Sequence, residues 1–566
     1  MPKLFLTDTY YNVFNILSND LYEKSRNLSE KYIVFTEEKI SLMAERCICN
    51  KLGGSFNIKV MSFVGLLKSN INIEKILSKE GSSMVVKKLL NNIDLKTFSK
   101  SKVNLAPSLF NLFILLKSAK VSVNDLSNAL NGVDGVLKNK LEDIYKIFAE
   151  YENYLDVNGL DDQNSILNYL PNVIENLQDL ENTNVYLVGY ASWTKQQRRV
   201  VSALLKKAKS VTAILTAGEN KGVYLNETSS AFKYVCKELG VDVNVCYFET
   251  KETGCQQYIR NYLFNPEAFK LKPKETDDIF CFSPNSVQEE VNLVATTIKA
   301  IVMQKKARYK DITIALPEIN GYKDQIKRAF NTLQIPCFID EKKKPTLHPL
   351  ITLITSYMDA YRKGMERYYL SAFFKNPLFC EDKEFADKFE NYLIKFNIDY
   401  YKIKKEFIFA DDLDASTFSK FNEFRAKICS FFNYFSVENL LEKLKVEEKL
   451  KEFSNKLKEQ GEIEELAVNE QIYQVVTNLL LETKRIIGEE KLSVYEIKNI
   501  FVSGVNAMEL SILPQYLDAV FIGGYREVAL GNSKYLFLLG LTGSTPIYKE
   551  DVSLLNDSDI NKLGEI

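Results

Sequence analysis

The sequence predicts an α/β protein made of two parallel-sheet halves, each interrupted by a helical insert. Three observations predict it. Short β-branched and aromatic runs alternate with helical spacing at the N-terminus, which is the signature of β-α-β units. From about Glu74 to Gln178 the spacing turns helical, and strand-like runs then return. The same succession repeats from Asp278 onward.

Leu4-Phe5-Leu6 reads as the first strand, followed by Val13, Phe14, Leu17 and Leu21 on one helical face. Tyr32 to Phe35 is the second strand; Thr36-Glu37-Glu38 then turns into a helix from about Ser41. Ile58 to Phe63 is the third. After the helical stretch, Val185 to Val188 and Val211 to Leu215 complete the first half. In the second half Asp278 to Ser283 and Ile312 to Leu316 read as strands around a helix from Ser286 to Gln304. Pro349 opens another helical stretch, and strands resume at Ala519 to Ile522 and Leu536 to Leu539. The expected division is a split first sheet domain at 1–70 and 180–270 and a helical insertion at 71–179. A second split sheet domain lies at 275–348 and 515–566, with its insertion at 349–514.

Composition bounds the function. Hydrophobic residues at 46% and charged residues at 26% exclude a disordered chain. A formal net charge of −1 gives no global attraction to nucleic acid or anionic membrane, so any DNA contact must come from a local basic surface. The nine cysteines are scattered, and the Cys47/Cys49 pair has no second pair to complete a zinc site. Met-Pro-Lys-Leu opens no signal peptide, and the apolar patches near Leu109 to Leu116 and Leu536 to Leu541 are too short to span a bilayer. A cytoplasmic protein without membrane contact is expected.

Two sheet domains with a helical insertion in each is the plan of superfamily 1 helicases, whose sheets are RecA-like (P-loop NTPase-like). A motor of that plan needs a glycine-rich turn after its first strand, with a lysine for the phosphates and a Ser/Thr for Mg²⁺. Here the turn reads Thr7-Asp8-Thr9-Tyr10-Tyr11-Asn12, without glycine or lysine. The strand expected to end in Asp-Glu instead ends Gly189-Tyr190-Ala191-Ser192-Trp193. The single histidine, His348, lies between Leu347 and Pro349 and reads as a turn or core residue. Asp161-Asp162, Asp277-Asp278 and Asp411-Asp412 read as helix-cap or loop acids, and Lys342-Lys343-Lys344 as a solvated loop. No catalytic residue, metal site or cofactor site is expected in this chain.

Several ordered blocks carry a resemblance. They include Val34-Phe35-Thr36-Glu37-Glu38-Lys39-Ile40-Ser41-Leu42, Val60-Met61-Ser62-Phe63, Lys140-Leu141-Glu142-Asp143-Ile144-Tyr145 and Val188-Gly189-Tyr190 with Trp193-Thr194. Others are Tyr309-Lys310-Asp311-Ile312, Ile335-Pro336-Cys337-Phe338-Ile339-Asp340, His348-Pro349-Leu350 and Leu513 to Gly524. Together they resemble AddB/RexB, the B subunit of the bacterial AddAB (RexAB) helicase–nuclease that resects double-strand breaks. The resemblance implies a helicase-like scaffold that holds DNA and in some members recognises Chi. It also implies an AddA/RexA-like partner that turns over ATP. Many members keep a phosphate loop, from which this chain departs as RexB-like members do. Members also carry a C-terminal nuclease with Mg and a 4Fe-4S cluster; the last cysteine here is Cys429, so the chain is expected to be a shortened form without that nuclease.

Helicase single strands cross loops at the strand tips. This makes Glu38, Lys39, Ser41, Ser62, Phe63 and Trp193 the candidate DNA contacts, with Phe63 and Trp193 as stacking platforms. Double-stranded ends and single-stranded DNA are the expected ligands. On the residues alone, a two-domain α/β enzyme such as a nucleotide-sugar transferase and a structural interaction protein stay open as alternatives.

Overall fold

A computed structural model describes the chain except residues 8, 71–74, 99–104, 163–165, 217–226, 249–254, 256–275, 411–412, 512–516, 526–527, 529–532, 544–553 and 564–566. The first half alternates β1 (Lys3–Thr7), α1 (Tyr10–Lys24), β2 (Lys31–Phe35), α2 (Glu38–Leu52), β3 (Ile58–Met61) and α3 (Phe63–Lys68). After an insert it resumes with α8 (Ile166–Asn176), β6 (Thr183–Val188), α9 (Lys195–Lys207), β7 (Ser210–Thr216), α10 (Glu227–Glu238) and β8 (Asn244–Phe248). The strands form a six-stranded sheet in the order β3-β2-β6-β7-β1-β8, with every pairing parallel. Strand alternation divides its core. Val185 and Leu187 of β6 face one apolar layer, while Tyr186 and Val188 face the other, against Val13, Phe14 and Leu17 of α1.

The second sheet has four parallel strands, in the order β10 (Cys337–Ile339), β13 (Val520–Gly524), β9 (Ile312–Leu316) and β14 (Tyr535–Leu538). Its core is separate and is packed by the helices Val287–Met303 and Lys323–Thr332. The strand expected at Asp278 to Ser283 does not form. That segment pairs with no strand and leaves Phe280 and Phe282 exposed, so its apolar pattern buries nothing. The helix expected from Ser41 starts earlier, at Glu38, which brings Glu38 and Lys39 into its first turn.

The first insert contains β4 (Ile76–Leu77), α4 (Lys79–Leu90), α5 (Leu105–Ala119), α6 (Val123–Ala129), α7 (Gly135–Asn158) and β5 (Asp161–Asp162). The second runs from the helix Pro349–Arg362 to the helix Val494–Ala507. It is framed by the antiparallel pair β11 (Lys342–Lys343) and β12 (Leu510–Ser511). These inserts, distant in sequence, share one hydrophobic core. Their seam is well bonded: Ser78 N–H donates to the Glu482 carboxylate at 2.9 Å, Ser83 and Ser503 hydroxyls meet at 2.9 Å, and Lys88 Nζ donates to the Ile486 carbonyl at 2.7 Å. Gly504 is needed at this seam, because a Cβ there would lie 2.7 Å from Leu479 Cδ1 and 2.9 Å from Met84 Sδ.

Inside the first insert, Asp162 is fully buried and is neither a cap nor a loop acid, contrary to the sequence expectation. Its carboxylate meets Lys117 Nζ at 2.6 Å and accepts from the Tyr151 hydroxyl at 3.0 Å. Lys117 also meets Glu152 at 2.5 Å. Asp143, equally buried, accepts the backbone N–H groups of Lys96 at 2.8 Å and Thr97 at 2.6 Å, which pins the preceding loop. Asp277 and Asp278 sit in an exposed bend, as expected of loop acids; Asp411 and Asp412 lie outside the described residues.

Candidate strand-tip site

In open parallel sheets, ligands gather beyond the carboxyl ends of the strands. Around the first sheet that rim is made by Thr7 of β1, Thr36 to Glu38 after β2, Ser62 and Phe63 after β3, and Gly189 to Trp193 after β6. Gly189 takes φ 72°, a left-handed conformation that glycine adopts without a Cβ clash, so the chain can turn at once off the end of β6.

The sequence candidates separate into two groups. Glu38 and Ser62 are brought together: Ser62 caps α3 by accepting from Gly65 N–H at 3.1 Å, and its hydroxyl donates to Glu38 Oε1 at 3.2 Å. Ser41 is adjacent, its hydroxyl donating to the Glu38 carbonyl at 2.9 Å, and exposed Lys39 pairs with Glu37 at 3.0 Å. These four residues are at least partly accessible.

Phe63 and Trp193 form the other group, at 4% and 3% exposure. Phe63 packs against Phe35 at 5.2 Å and stacks on Tyr190 at 5.5 Å; Trp193 packs against Tyr190 at 5.8 Å and Phe232 at 6.2 Å. Their faces are occupied by this aromatic chain, so the geometry replaces the stacking-platform expectation with a packed rim. Burial, reinforced by the nearby Glu37 charge, holds the Tyr190 phenol well above its ordinary range and therefore neutral.

The rim also holds polar atoms that sequence reading missed. Thr7 Oγ1, Thr36 Oγ1, Trp193 Nε1 and Arg198 Nε are buried without hydrogen-bond partners among the described residues. Threonines at strand ends are common, and only the folded rim reveals these as unpartnered.

No group of three or more His, Cys, Asp or Glu among the described residues is placed to hold a metal ion. The cysteines are free and dispersed, so they do not fit a 4Fe-4S cluster. His348 caps the helix Pro349–Arg362: its Nδ1 accepts from Leu350 N–H at 3.1 Å, while Nε2 lies 3.2 Å from Asn469 Oδ1. Burial outweighs the Asn469 bond and lowers its pKa to about 4, so it is neutral in the folded chain. Among the described residues no single helix is long and apolar enough to cross a membrane.

Fold and rim define an α/β protein with two parallel sheets, whose first strand-tip turn carries no phosphate-binding glycine or lysine. Its particular similarity is to AddB, the B subunit of ATP-dependent helicase/deoxyribonucleases. Residues 15–241 match the family model "ADDB, N-terminal". The B subunit of the ATP-dependent helicase/deoxyribonuclease of Clostridium novyi is 26% identical, with 95% of this chain and 51% of the relative covered. The proteins of the same name from Clostridioides difficile and Listeria welshimeri are each 25% identical, covering 97% of this chain and 52% of the relative. The chain thus spans about half the length of the curated relatives it matches.

Proposed function

We propose that this chain is the DNA-holding, non-catalytic part of a helicase–nuclease of the AddAB (RexAB) kind, working beside an AddA/RexA-like protein that hydrolyses ATP. In this reading its two sheets are RecA-like domains that have kept their shape without their nucleotide. The observation that carries it is the combination of kinship over 95% of the chain with a first turn, Thr7 to Asn12, that lacks glycine and lysine. A triphosphate needs backbone N–H groups that side chains do not block and a lysine charge, and this turn offers neither. The chain then binds DNA ends and single strands through accessible rim groups, Glu38, Lys39, Ser41 and Ser62, in the cytoplasm, without a cofactor of its own. Glu38 repels phosphate, so its contacts are to base edges. Break repair and Chi recognition are functions of the assembled enzyme in this reading.

The test is co-expression with an AddA/RexA-like partner. The expected outcome is a stable complex, no ATP hydrolysis by this chain alone, and DNA-end binding that weakens as salt rises. Robust ATPase activity of the purified chain would overturn the reading.

A further inference from the structure

Helix α9 carries five cations and no acid in the sequence KQQRRVVSALLKK. Its buried face is Gln196, Val200, Val201, Ala203 and Leu204. Lys207 pairs with Glu181 at 2.6 Å. The other four cations fall on the opposite face: Lys195, Arg198 and Arg199 share the first turns, and Lys206 follows seven residues after Arg199. None of the four has an ion pair among the described residues, although ion pairs are frequent elsewhere on this surface.

Two further features concentrate the charge. Lys195, Arg198 and Arg199 stand at the N-terminal end of α9, where the helix dipole is already positive, and the first turn holds no acid to offset it. From the insert, Lys120 at the end of α5 comes close enough to Arg199 for that guanidinium to disfavour its protonation, after the larger effect of burial. Helices α5 and α9 pack against each other, and Lys120 directly follows α5 with φ 61°. In a chain of net charge −1, like charges from two elements, without ion pairs among the described residues, favour an anionic ligand.

We propose that the stripe Lys120, Lys195, Arg199 and Lys206 is a seat for the phosphate backbone of single-stranded nucleic acid, running from the rim of the first sheet along α9. The seat rests on the DNA-holding reading and deepens it by naming the surface. It spans roughly 16 Å at a rise of about 1.5 Å per helical residue. Arg198, partly buried beside Tyr234, lines it without being exposed enough to lead it.

The experiment uses the full chain and a fluorescein-labelled oligothymidylate, with affinity measured by anisotropy across a salt series. One variant changes Lys120, Lys195, Arg199 and Lys206 to Gln. A control of equal charge change alters Lys445, Lys451, Lys456 and Lys458, exposed on and beside the distant helix Val446–Gln460. Thermal unfolding confirms that both fold. The stripe variant is expected to bind several-fold more weakly, with its log–log salt slope reduced by about 0.7 for each lost phosphate contact, while the control stays near wild type. Equal loss in both variants, or none in the stripe variant, overturns the seat while leaving DNA holding intact. If the wild-type chain binds no oligonucleotide, both readings fall.

Discussion

The two sheets keep cores of their own, whereas the two helical inserts, separated by nearly two hundred residues (160 to 349), share one. The sheets are also unequal. The first has six strands and apolar layers on both faces; the second has four, with β14 at an edge where Leu536 and Leu538 are exposed. The inserts are joined by side chains that leave little room for rearrangement: Glu482 on Ser78, Lys88 on Ile486, and Gly504 at a close helix crossing. Specific polar bonds tie the two inserts to each other; buried polar atoms without partners among the described residues occur both there, at Asn506, and at the first sheet's rim, at Thr7, Thr36 and Trp193, beside cations of α9 that have no ion pair among those residues. A protein that holds a ligand at its rims needs a rigid body behind them.

The sharpest way to break this contrast is to remove Asp162. Lys117 is 6% exposed and would lose its buried carboxylate partner, keeping the more exposed Glu152. Removing one member of a buried pair costs about 3–5 kcal/mol. Asp162→Ala should lower stability by that order in urea unfolding, and Lys117→Met added to it should recover part of the loss. A cost below about 1 kcal/mol, the range of exposed pairs, would show that water reaches the network and that the body is not the rigid element.

Much of this architecture is legible in the sequence, for a physical reason. Parallel strands buried on both faces read as continuous apolar runs, so Tyr32 to Phe35, Val185 to Val188 and Ile312 to Leu316 announce themselves. The edge strand β8 carries an apolar run of its own, Val245 to Phe248, but is largely exposed and goes unannounced. Ile279, Phe280 and Phe282 make the opposite error: an apolar pattern with no neighbour to pair with. Periodicity shows that the inserts have apolar faces but not what those faces meet, and so the shared core was invisible. The same limit explains the site. Glu38 and Ser62 were placed at strand tips correctly by topology, but the partners that bury Phe63 and Trp193 include Tyr190 and Phe232, which only the fold brings near.

A second test lies at the junction between the second sheet and its insert. His348 has a folded pKa of about 4, below the ordinary 6.5, so the unfolded chain takes up a proton first as pH falls. Its contribution is present above about pH 6.5 and is lost as pH falls toward 4. Between pH 7 and 5 that amounts to roughly 1–2 kcal/mol. His348→Asn keeps a capping side chain for Leu350 N–H but removes the titration, so its stability should fall less than wild type over that interval in paired urea titrations. Parallel pH profiles would mean that the histidine is solvated and the junction loose.

The smallest effect belongs to the rim, and it bears on what the rim is for. Ser62 caps α3, and losing an N-cap side chain typically costs about 1 kcal/mol. Ser62→Ala should show that loss, while Ser62→Asn, an equally good cap, should restore it. The Ala variant also releases Glu38 from its 3.2 Å bond, so the acid is free to move over the rim. If Ser62 and Glu38 act together on DNA, oligonucleotide affinity should change in both variants, following the Glu38 bond rather than the cap. Affinity that follows stability alone would assign Ser62 to the helix, leaving the cations of α9 to hold the strand.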